Sequence, residues 1–486
     1  MTLMGAADGP HTYDVAIIGA GVVGAAIARE LSTYELRTVV LEAGHDVGTG
    51  TSKANTAIRH TGFDAKPGSL EAALLERAYP LLSDYAARTG IPLETPGALL
   101  VAWSSDQLAR IDALRIQARA NGCHDVQVVS TEGIYAAEPN LGPGALGGLA
   151  VPGEGIVCPF TMPLAFAIEA VTNGVQIELD TAVQSIERGA GAYELATSRG
   201  RVRARWVVNA AGLSSDLVDR MMGHERFTIH PRRGQLIVFD KLARPLVSSI
   251  LLPVPTPVSK GVLIAPTVFG NVLLGPTAEE LDDRTGTQTT RQGLDDLLAK
   301  GRTILPALVE EEVTATYAGL RAATEHSDYQ IHCDPAQRYV CVGGIRSTGL
   351  SAAMGIAAHV ADLLQDAGLV LRRAAVHREV RMRPIGESQR RLFRDHDAIA
   401  ARPDYGEIVC FCERVTRGEV LDALVGPLPA RSTDGLRRRT RAGLGRCQGF
   451  YCSATLSALL NDRREPPLAP SRHEDELVVS QTPRTR

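Results

Sequence analysis

The sequence predicts an α/β fold joined to α+β parts: a discontinuous Rossmann-like dinucleotide-binding domain, a domain built on an antiparallel sheet, and a small C-terminal domain. Three observations predict it. A strand, glycine turn, helix, strand and acid follow one another near the start, alternating apolar runs fill much of the second half, and four cysteines cluster near the end. The chain has 486 residues, enough for about two to four domains.

The first element is a complete dinucleotide-binding unit. Residues 13–18 form a predicted buried parallel strand, followed by GAGVVG at 19–24, a small-residue helix to 31 and a strand at 38–41. Gly19 permits the tight turn, Gly21 lets the backbone approach a pyrophosphate, and Gly24 lets the helix pack closely on the strand. The helix start offers N–H groups to phosphates, and Glu42, which follows the second strand, can accept a ribose hydroxyl.

A second stretch with the same glycine spacing, GPGALG at 142–147, lacks this context. No strand precedes it, a proline lies inside it and no helix follows it. We interpret it as a surface turn, so the sequence predicts one nucleotide site rather than separate flavin and nicotinamide sites.

Later strands, at 206–212 and 338–344, belong with the first unit, and a helix follows the second of them. The alternating apolar runs between them predict an antiparallel sheet on the substrate side. The expected boundaries are 12–95, 150–225 and 335–370 for the dinucleotide-binding domain, 96–149 and 226–334 for the substrate domain, 371–405 for a linker, 406–460 for the C-terminal domain, and 461–486 for a disordered tail.

Composition excludes several classes of protein. Hydrophobic residues make up 44% and charged residues 22% of the chain, which excludes a disordered or fibrous protein. The net charge of −4 gives no basic field for nucleic acid. No apolar run reaches the roughly 18 residues of a transmembrane helix, and the first residues do not resemble a secretory signal. We expect a cytoplasmic protein, peripheral at the inner membrane only through a partner.

The eight cysteines divide into four scattered ones and four in two close pairs. The pairs are Cys410 with Cys412, and Cys447 with Cys452. Four thiolates in such pairs can bind zinc or an iron–sulfur cluster, and their spacing does not decide between the two.

Several motifs together resemble a known family. TSKAN at 51–55, HTG at 60–62 and NAAG at 209–212, together with the glycine turn, resemble FAD-dependent enzymes of the D-amino-acid oxidase-like superfamily. HPRRGQ at 230–235, YAGLR at 317–321 and GIRSTGLS at 344–351 are similar to the glycerol-3-phosphate dehydrogenase branch with a C-terminal iron–sulfur domain. L-2-hydroxyglutarate oxidases are similar cousins, and the resemblance spans about residues 13–455.

The resemblance implies FAD as cofactor and assigns candidate residues to it. The expected FAD-binding residues are Gly19, Gly21, Gly24, Glu42, Ser52, Lys53, Ala54, Asn55, Ala211, Gly212, Gly349, Leu350 and Ser351. His60 is the expected base or orienting residue, with packing against the flavin as its alternative. Arg321 is expected to bind an anionic substrate group or to form a salt bridge within the sheet. Arg346 is either a substrate anchor or a structural residue near the flavin.

Three positions depart from the family pattern. Arg59 stands where an aliphatic residue is usual, Thr348 where proline is usual, and Phe269 where an acid or histidine is common. Because Arg59 precedes the motif histidine, it is a candidate to face the substrate and to change specificity.

The sequence around the four cysteines, VCFCERVT at 409–416 and RRRTRAGLGRCQG at 437–449, resembles the bacterioferritin-associated ferredoxin-like domain. That resemblance implies a [2Fe–2S] cluster with Cys410, Cys412, Cys447 and Cys452 as ligands. The arginines at 437, 438, 439, 441 and 446 are expected to offset the negative charge of the cluster, or else to form a solvated face.

The implied activity is that of an FAD-dependent dehydrogenase that oxidises sn-glycerol 3-phosphate to dihydroxyacetone phosphate. A cluster beside a flavin implies that electrons leave singly, to a quinone or an electron-accepting protein subunit. Two alternatives remain open. One is the same chemistry on a 2-hydroxy acid, another sugar-alcohol phosphate, an amino acid or an opine. The other is a non-catalytic electron-transfer flavoprotein.

Overall fold

A computed structural model describes residues 12–255 and 261–462. Its strands are β1 (Thr12–Ile18), β2 (Thr38–Leu41), β3 (Ile58–Arg59), β4 (Leu93–Glu94), β5 (Ala98–Ala102), β6 (Gln127–Val129), β7 (Gly147–Val151), β8 (Gly155–Val157), β9 (Gln176–Glu178), β10 (Val183–Arg188), β11 (Tyr193–Thr197), β12 (Gly200–Asn209), β13 (His230–Phe239), β14 (Ile250–Pro253), β15 (Leu263–Pro266), β16 (Val272–Gly275), β17 (Glu279–Glu280), β18 (Val313–Ala323), β19 (Gln330–Asp334), β20 (Tyr339–Gly343), β21 (Ile408–Cys410) and β22 (Val415–Thr416). Its α-helices are α1 (Val22–Leu31), α2 (Leu70–Thr89), α3 (Ser105–Ala109), α4 (Ile111–Ala120), α5 (Thr131–Ala137), α6 (Thr161–Thr172), α7 (Ser215–Met221), α8 (Arg291–Ile304), α9 (Gly349–Asp366), α10 (His396–Ala401), α11 (Arg417–Ala423), α12 (Thr433–Thr440) and α13 (Ser453–Asp462).

The dinucleotide-binding part is a parallel sheet assembled from distant pieces of the chain. Strands β9, β2, β1, β12 and β20 pair in parallel in that order. Residues Val15 and Val208 on neighbouring central strands are fully buried, as expected for a parallel sheet covered on both faces. Helices α6 and α9 both pack on α1. The predicted discontinuous Rossmann-like arrangement is therefore present.

The second sheet has the order β17-β13-β16-β15-β14-β5-β7-β6, with β18 along the other side of β13. Its neighbours are antiparallel except for β14 and β5, which run parallel. The predicted antiparallel character therefore holds for all pairs but one. Strand β19 lies inside the segment 226–334, yet it pairs with β20 of the first sheet.

The C-terminal part is small and has its own core. Strands β21 and β22 form a hairpin, and helices α11, α12 and α13 pack on one another and around it. Helix α11 begins with a capping box, in which Thr416 and Glu419 each accept a hydrogen bond from the other's backbone N–H. Buried Val420, Leu436 and Leu456 fill the centre, so this part is a separate packed unit.

The predicted linker at 371–405 is hydrogen-bonded to the other parts at several points along its length, and we call this segment the strap. The backbone N–H groups of Ala374, Met382 and Glu387 donate to carbonyls at 33, 89 and 268, at 3.0, 2.7 and 2.9 Å. Most of the predicted disordered tail, from 463 to 486, lies outside the described residues, and 461–462 end α13. No described helix is long and apolar enough to cross a membrane.

Candidate cofactor and substrate site

The glycine turn after β1 is shaped by close backbone approaches. A Cβ on Gly24 would lie 1.9 Å from the carbonyl oxygen of Gly19, and one on Gly19 would lie 2.6 Å from that of Ala210. By contrast, a Cβ on Gly21 would meet only Ser52 Oγ, at 3.4 Å. Gly19 and Gly24 are thus required by packing alone, while Gly21 leaves open space at the start of α1. That space fits the pyrophosphate of a dinucleotide.

Glu42 lies beside this turn at the end of β2. Its Oε2 accepts a hydrogen bond from the backbone N–H of Ala20 at 2.5 Å, and its Oε1 accepts one from Gly44 at 2.7 Å. Each carboxylate oxygen has a further lone pair that can accept a ribose hydroxyl. The sequence-predicted role of Glu42 therefore remains compatible with its position, and the structure adds a second role in holding the turn.

The loop at 51–55 is fixed between α1 and β18. The backbone N–H of Val22 donates to Ser52 Oγ at 2.9 Å, and the Asn55 side-chain amide donates to the Ser52 carbonyl at 2.8 Å. On the other side, a Cβ on Gly319 would come within 1.9 Å of the Ala54 carbonyl oxygen. The loop is therefore rigidly placed next to Gly21, where the sequence predicts FAD.

Three predicted FAD residues differ in what they contact. Lys53 Nζ lies 3.4 Å from Asp434 Oδ2 of α12, so its side chain reaches the C-terminal part. Gly212 has φ +57° and open space around its Cβ position, and the Ala211 N–H donates to Asn209 Oδ1 at 3.2 Å. The backbone at 211–212 is thus accessible to a cofactor.

His60 is paired with a carboxylate that sequence reasoning missed. Its Nδ1 lies 2.9 Å from Oε2 of Glu154, which is fully buried. Oε1 of Glu154 accepts hydrogen bonds from the Thr61 N–H at 2.6 Å and the Thr61 hydroxyl at 2.8 Å. An ionised Glu154 assigns the proton to Nδ1 and the lone pair to Nε2. Glu154 is a lone acid between glycines, and its partner lies 94 residues away, so no local pattern indicates it.

The first turn of α9 forms hydrogen bonds with the segment that contains β3 and His60. Ser351 Oγ accepts the backbone N–H of His60 at 2.8 Å and donates to the Ile58 carbonyl at 3.2 Å. The first-turn N–H groups of a helix have no intrahelical acceptors, and its positive end favours negative charge. Gly349, Leu350 and Ser351 occupy this turn, where such groups could stabilise a reduced flavin.

Arg321 forms no direct ion pair with any residue that the structure describes. It lies on β18 opposite Arg232 of β13, and its Nη1 and Nη2 each lie 3.5 Å from the Thr277 carbonyl. Within the part of the chain that the structure describes, no carboxylate is at ion-pair distance from it. Burial lowers the pKa of Arg321 to about 10, the positive charge of Arg232 acts in the same direction, and the negative charge of Glu280 acts against it. Because it stays protonated at neutral pH, this guanidinium favours an anionic ligand.

Arg346 and Thr348 both form hydrogen bonds with neighbouring residues of the fold. Arg346 Nη2 donates to the Ser327 carbonyl and lies 3.8 Å from Glu71 Oε2. Thr348 Oγ1 donates to Glu71 Oε1 at 2.6 Å and shares a 2.5 Å hydrogen bond with the Tyr329 hydroxyl. These contacts favour the structural alternative for Arg346.

The expectation that Arg59 faces the substrate is wrong. Its guanidinium donates to Ser83 Oγ at 2.7 Å and to the Tyr79 hydroxyl at 2.5 Å, and it lies 4.1 Å from the centre of the Tyr79 ring. Ser83 and Tyr79 both belong to α2, so the Arg59 side chain points towards that helix.

The four clustered cysteines meet as two interacting pairs. The thiols of Cys412 and Cys447 are hydrogen-bonded neighbours, and so are those of Cys452 and Cys410. Backbone N–H groups, first that of Tyr451, lower the pKa of Cys447, whereas burial raises the pKa of Cys452 to about 12. Within 12–255 and 261–462, no three His, Cys, Asp or Glu side chains close into one metal-binding group. Thiols with nearby N–H donors nevertheless fit an iron–sulfur cluster, whose bonds would join the two pairs.

Most arginines of the run between these cysteines form ion pairs, whereas the sequence predicted that they offset the cluster charge or form a solvated face. The contacts are Arg438 and Arg439 with Asp46, Arg441 with Glu413, and Arg446 with Asp240, at 2.6, 2.6, 2.8 and 3.0 Å. Arg441 also lies 3.9 Å above the Phe269 ring. Arg437 and Arg446 lie beside the cysteines: a Cβ on Gly443 would be 3.1 Å from Arg437 Nε, and Arg446 directly precedes Cys447. Through Asp46, Asp240 and Phe269, the run therefore docks the small part onto the rest of the molecule, whereas the pair of Arg441 with Glu413 lies within the small part.

Comparison with known proteins matches two families to this chain. A family profile described as FAD dependent oxidoreductase matches residues 14–363, and one described as BFD-like [2Fe-2S] binding domain matches 408–462. A glycerol 3-phosphate dehydrogenase of Caloramator mitchellensis is 35% identical over 454 residues, which cover 92% of this chain and 94% of that protein. One subunit of the anaerobic glycerol-3-phosphate dehydrogenase of Escherichia coli K12 is 26% identical over 93% of this chain and 88% of that protein.

A solved structure shares the fold of most of this chain. The dithionite-reduced L-α-glycerophosphate oxidase of Mycoplasma pneumoniae, with FAD bound, superposes with a TM-score of 0.71 at 30% identity. The match covers 75% of this chain and 97% of that one.

Proposed function

The chain belongs to the FAD-dependent oxidoreductase family and carries a BFD-like [2Fe–2S] domain, and on that basis we propose that it oxidises sn-glycerol 3-phosphate to dihydroxyacetone phosphate. Its electrons would then leave through the cluster to a quinone or an electron-accepting protein subunit. The relatives named for glycerol 3-phosphate support the substrate, including one that this chain matches over nearly its whole length.

The observation that carries the proposal is the unpaired Arg321 guanidinium. Arg321 is half-buried and has no carboxylate of the described residues at ion-pair distance, so a ligand that supplies negative charge would offset its desolvation. A phosphate can do so through two parallel N–H···O bonds, which the planar guanidinium is shaped to give. Arg321 follows Gly319, which contacts Ala54 of the loop proposed to hold FAD. An anionic group held by Arg321 would thus bring the rest of a small substrate towards that loop.

His60 is the proposed base. FAD, when bound, accepts a hydride from the carbon that is oxidised. The proton of the same carbon's hydroxyl needs an acceptor, and His60 Nε2 can take it while Glu154 holds the proton on Nδ1. Glu154 then stabilises the imidazolium that forms, because its carboxylate is buried beside Nδ1 and is held there by hydrogen bonds from Thr61. Ser351 fixes the His60 backbone.

The cluster supports an acceptor other than oxygen. Reduced FAD carries two electrons and a [2Fe–2S] cluster accepts one, so the cluster suits stepwise delivery to a one-electron partner. We propose that this partner is a quinone or a protein subunit. The enzyme would work in the cytoplasm, or at the inner membrane when bound to that partner.

The test is anaerobic mixing of the purified protein with candidate substrates, followed by the visible absorbance of the oxidised flavin. We expect rapid bleaching with sn-glycerol 3-phosphate and none with glycerol, which lacks the anionic group. Bleaching only with a 2-hydroxy acid, another sugar-alcohol phosphate, an amino acid or an opine would overturn the substrate. Reduction only by a partner protein would indicate a non-catalytic electron-transfer flavoprotein.

A further inference from the structure

Helix α12 of the cluster domain contacts both loops that border the proposed FAD site. One is the loop from Glu42 to Gly50, which follows β2 and contains Asp46. The other is the short 3₁₀ helix Thr51–Lys53. Arg438 and Arg439 of α12 reach Asp46, and Asp434 of α12 reaches Lys53. The cluster domain thus touches the flavin domain at the cofactor-binding loops themselves.

The contact at Asp46 is charged, bidentate and buried. Arg439 donates to Oδ2 at 2.6 Å and to Oδ1 at 2.9 Å, and Arg438 donates to Oδ2 at 2.6 Å. Asp46 is 4% exposed and Arg438 is 3% exposed. Charges sealed from water in this way lose their hydration, so each depends on its partner. Removing one partner is therefore far more disruptive here than at a surface ion pair.

The loop that carries Asp46 is tied to the glycine turn. The Val47 N–H donates to Asp46 Oδ1 at 2.9 Å, and the Gly48 N–H donates to the Ala20 carbonyl at 2.9 Å. Ala20 lies inside the turn that leads to Gly21. A displacement of Asp46 would therefore be transmitted to the glycine turn through the backbone at Val47 and Gly48.

Lys53 provides the second link. Its ammonium lies 3.4 Å from Asp434, and the same carboxylate accepts a hydrogen bond from Arg438. Lys53, Asp434, Arg438 and Asp46 form one alternating chain of charges. It runs from the 3₁₀ helix, across α12, to the loop after β2.

We propose that α12 of the cluster domain positions the FAD-binding loops through Asp46 and Lys53, so that FAD binding and docking of the cluster domain are thermodynamically coupled. Linkage then requires the reverse as well: bound FAD holds the cluster domain in place. Flavin and cluster would thus be kept at a fixed separation as long as the cofactor is bound. The proposal rests on the proposed FAD site but not on the identity of the substrate.

The experiment measures FAD affinity in the full chain without substrate. FAD is removed, and its dissociation constant is determined by fluorescence quenching for wild type, Arg439→Gln and Arg417→Gln. Arg417 is the matched control, because it lies in the same domain and pairs with Glu407 and Asp404 at 3.6 and 3.9 Å. We expect Arg439→Gln to raise the dissociation constant about tenfold, within the roughly 5–150-fold range of such couplings, and Arg417→Gln to leave it unchanged.

A double-mutant cycle tests whether the effect passes through this contact. If Asp46→Asn and Arg439→Gln act on one coupling, the double variant should bind FAD about as weakly as one single variant. Limited proteolysis within 371–405 gives a reading independent of activity. FAD should protect this strap in wild type and protect it less in Arg439→Gln.

Iron content and thermal unfolding identify a variant that has simply misfolded. In that case Asp434→Asn, at a more exposed carboxylate, is used instead, with a smaller rise expected. Equal FAD affinity in wild type and the docking variants, additive effects in the cycle, or FAD-independent proteolysis would each overturn the proposal. Failure of glycerol 3-phosphate to reduce the flavin would contradict the proposed substrate and leave this coupling unaffected.

Discussion

Glu154→Gln should inactivate the proposed base while changing almost no atoms. In the protein, Oε1 of Glu154 accepts two hydrogen bonds from Thr61, and Oε2 faces His60 Nδ1 at 2.9 Å. A glutamine has a single amide oxygen, which can lie either next to Thr61 or next to His60, but not at both positions. Thr61 presents two donors, so the oxygen stays there and the NH₂ group turns to His60. An NH₂ group donates, so Nδ1 must then accept, and the imidazole proton moves to Nε2.

The wrong tautomer has no lone pair where the substrate hydroxyl must be deprotonated. General base catalysis by a positioned side chain contributes about 10²–10⁴-fold, so the rate of flavin reduction should fall by that range. The assay is anaerobic stopped-flow reduction of the flavin by sn-glycerol 3-phosphate. FAD content should be normal, because the carboxylate of Glu154 hydrogen-bonds to His60 and Thr61 and not to the proposed FAD-binding residues.

Thr61→Val is the matched control. It removes the hydroxyl bond to Glu154, worth roughly 1 kcal/mol, but leaves the carboxylate and hence the tautomer. Its flavin reduction should slow by about tenfold or less. A Glu154→Gln variant that reduces its flavin at nearly the wild-type rate would refute the assignment of His60 as a base oriented by Glu154.

Three further variants test the other parts of the site. Arg321→Ala should lose about 2–4 kcal/mol of transition-state stabilisation in kcat/KM with normal FAD content, and an unchanged kcat/KM would place the substrate anion elsewhere. Gly21→Asp should give colourless protein, because a carboxylate would occupy the open space at the start of α1, and a yellow variant would contradict the pyrophosphate position. Cys447→Ser should keep FAD and anaerobic bleaching but lose the reduced-state EPR signal and turnover with the acceptor, and equal iron in variant and wild type would contradict the ligand set.

The family, the fold class and both cofactors could be predicted because each has a local signature. A strand, a glycine turn and a helix specify the dinucleotide unit within about thirty residues, and the resemblance at the two cysteine pairs indicated the cluster. The comparisons confirm FAD and [2Fe–2S] as cofactors. The residue-level roles of His60, Arg321 and the cysteines remain predictions that the variants above test.

What could not be predicted depends on pairs that are distant in sequence. Glu154 meets His60 across 94 residues, and Arg59 points away from the site only because of where β3 and α2 meet. The edge strand β19 joins the first sheet through a hairpin with β20, although it lies in the segment predicted to form the second sheet. Periodicity determines which residues are buried, but it does not determine which element covers them.

The arginine run shows why charge is a poor guide to exposure. Four arginines within five residues, from 437 to 441, read as a solvated face or as counter-charge to the cluster. In the folded chain Arg438, Arg439 and Arg441 are each less than a tenth exposed at the side chain, and each has a buried carboxylate partner. Such pairs add little stability relative to apolar contacts, because both charges must be dehydrated. Their advantage is orientation: an apolar patch tolerates sliding, whereas Asp46 accepts the Arg439 fork in one geometry. For the proposed electron transfer from flavin to cluster, this fixed orientation matters more than the small free energy that the contact contributes.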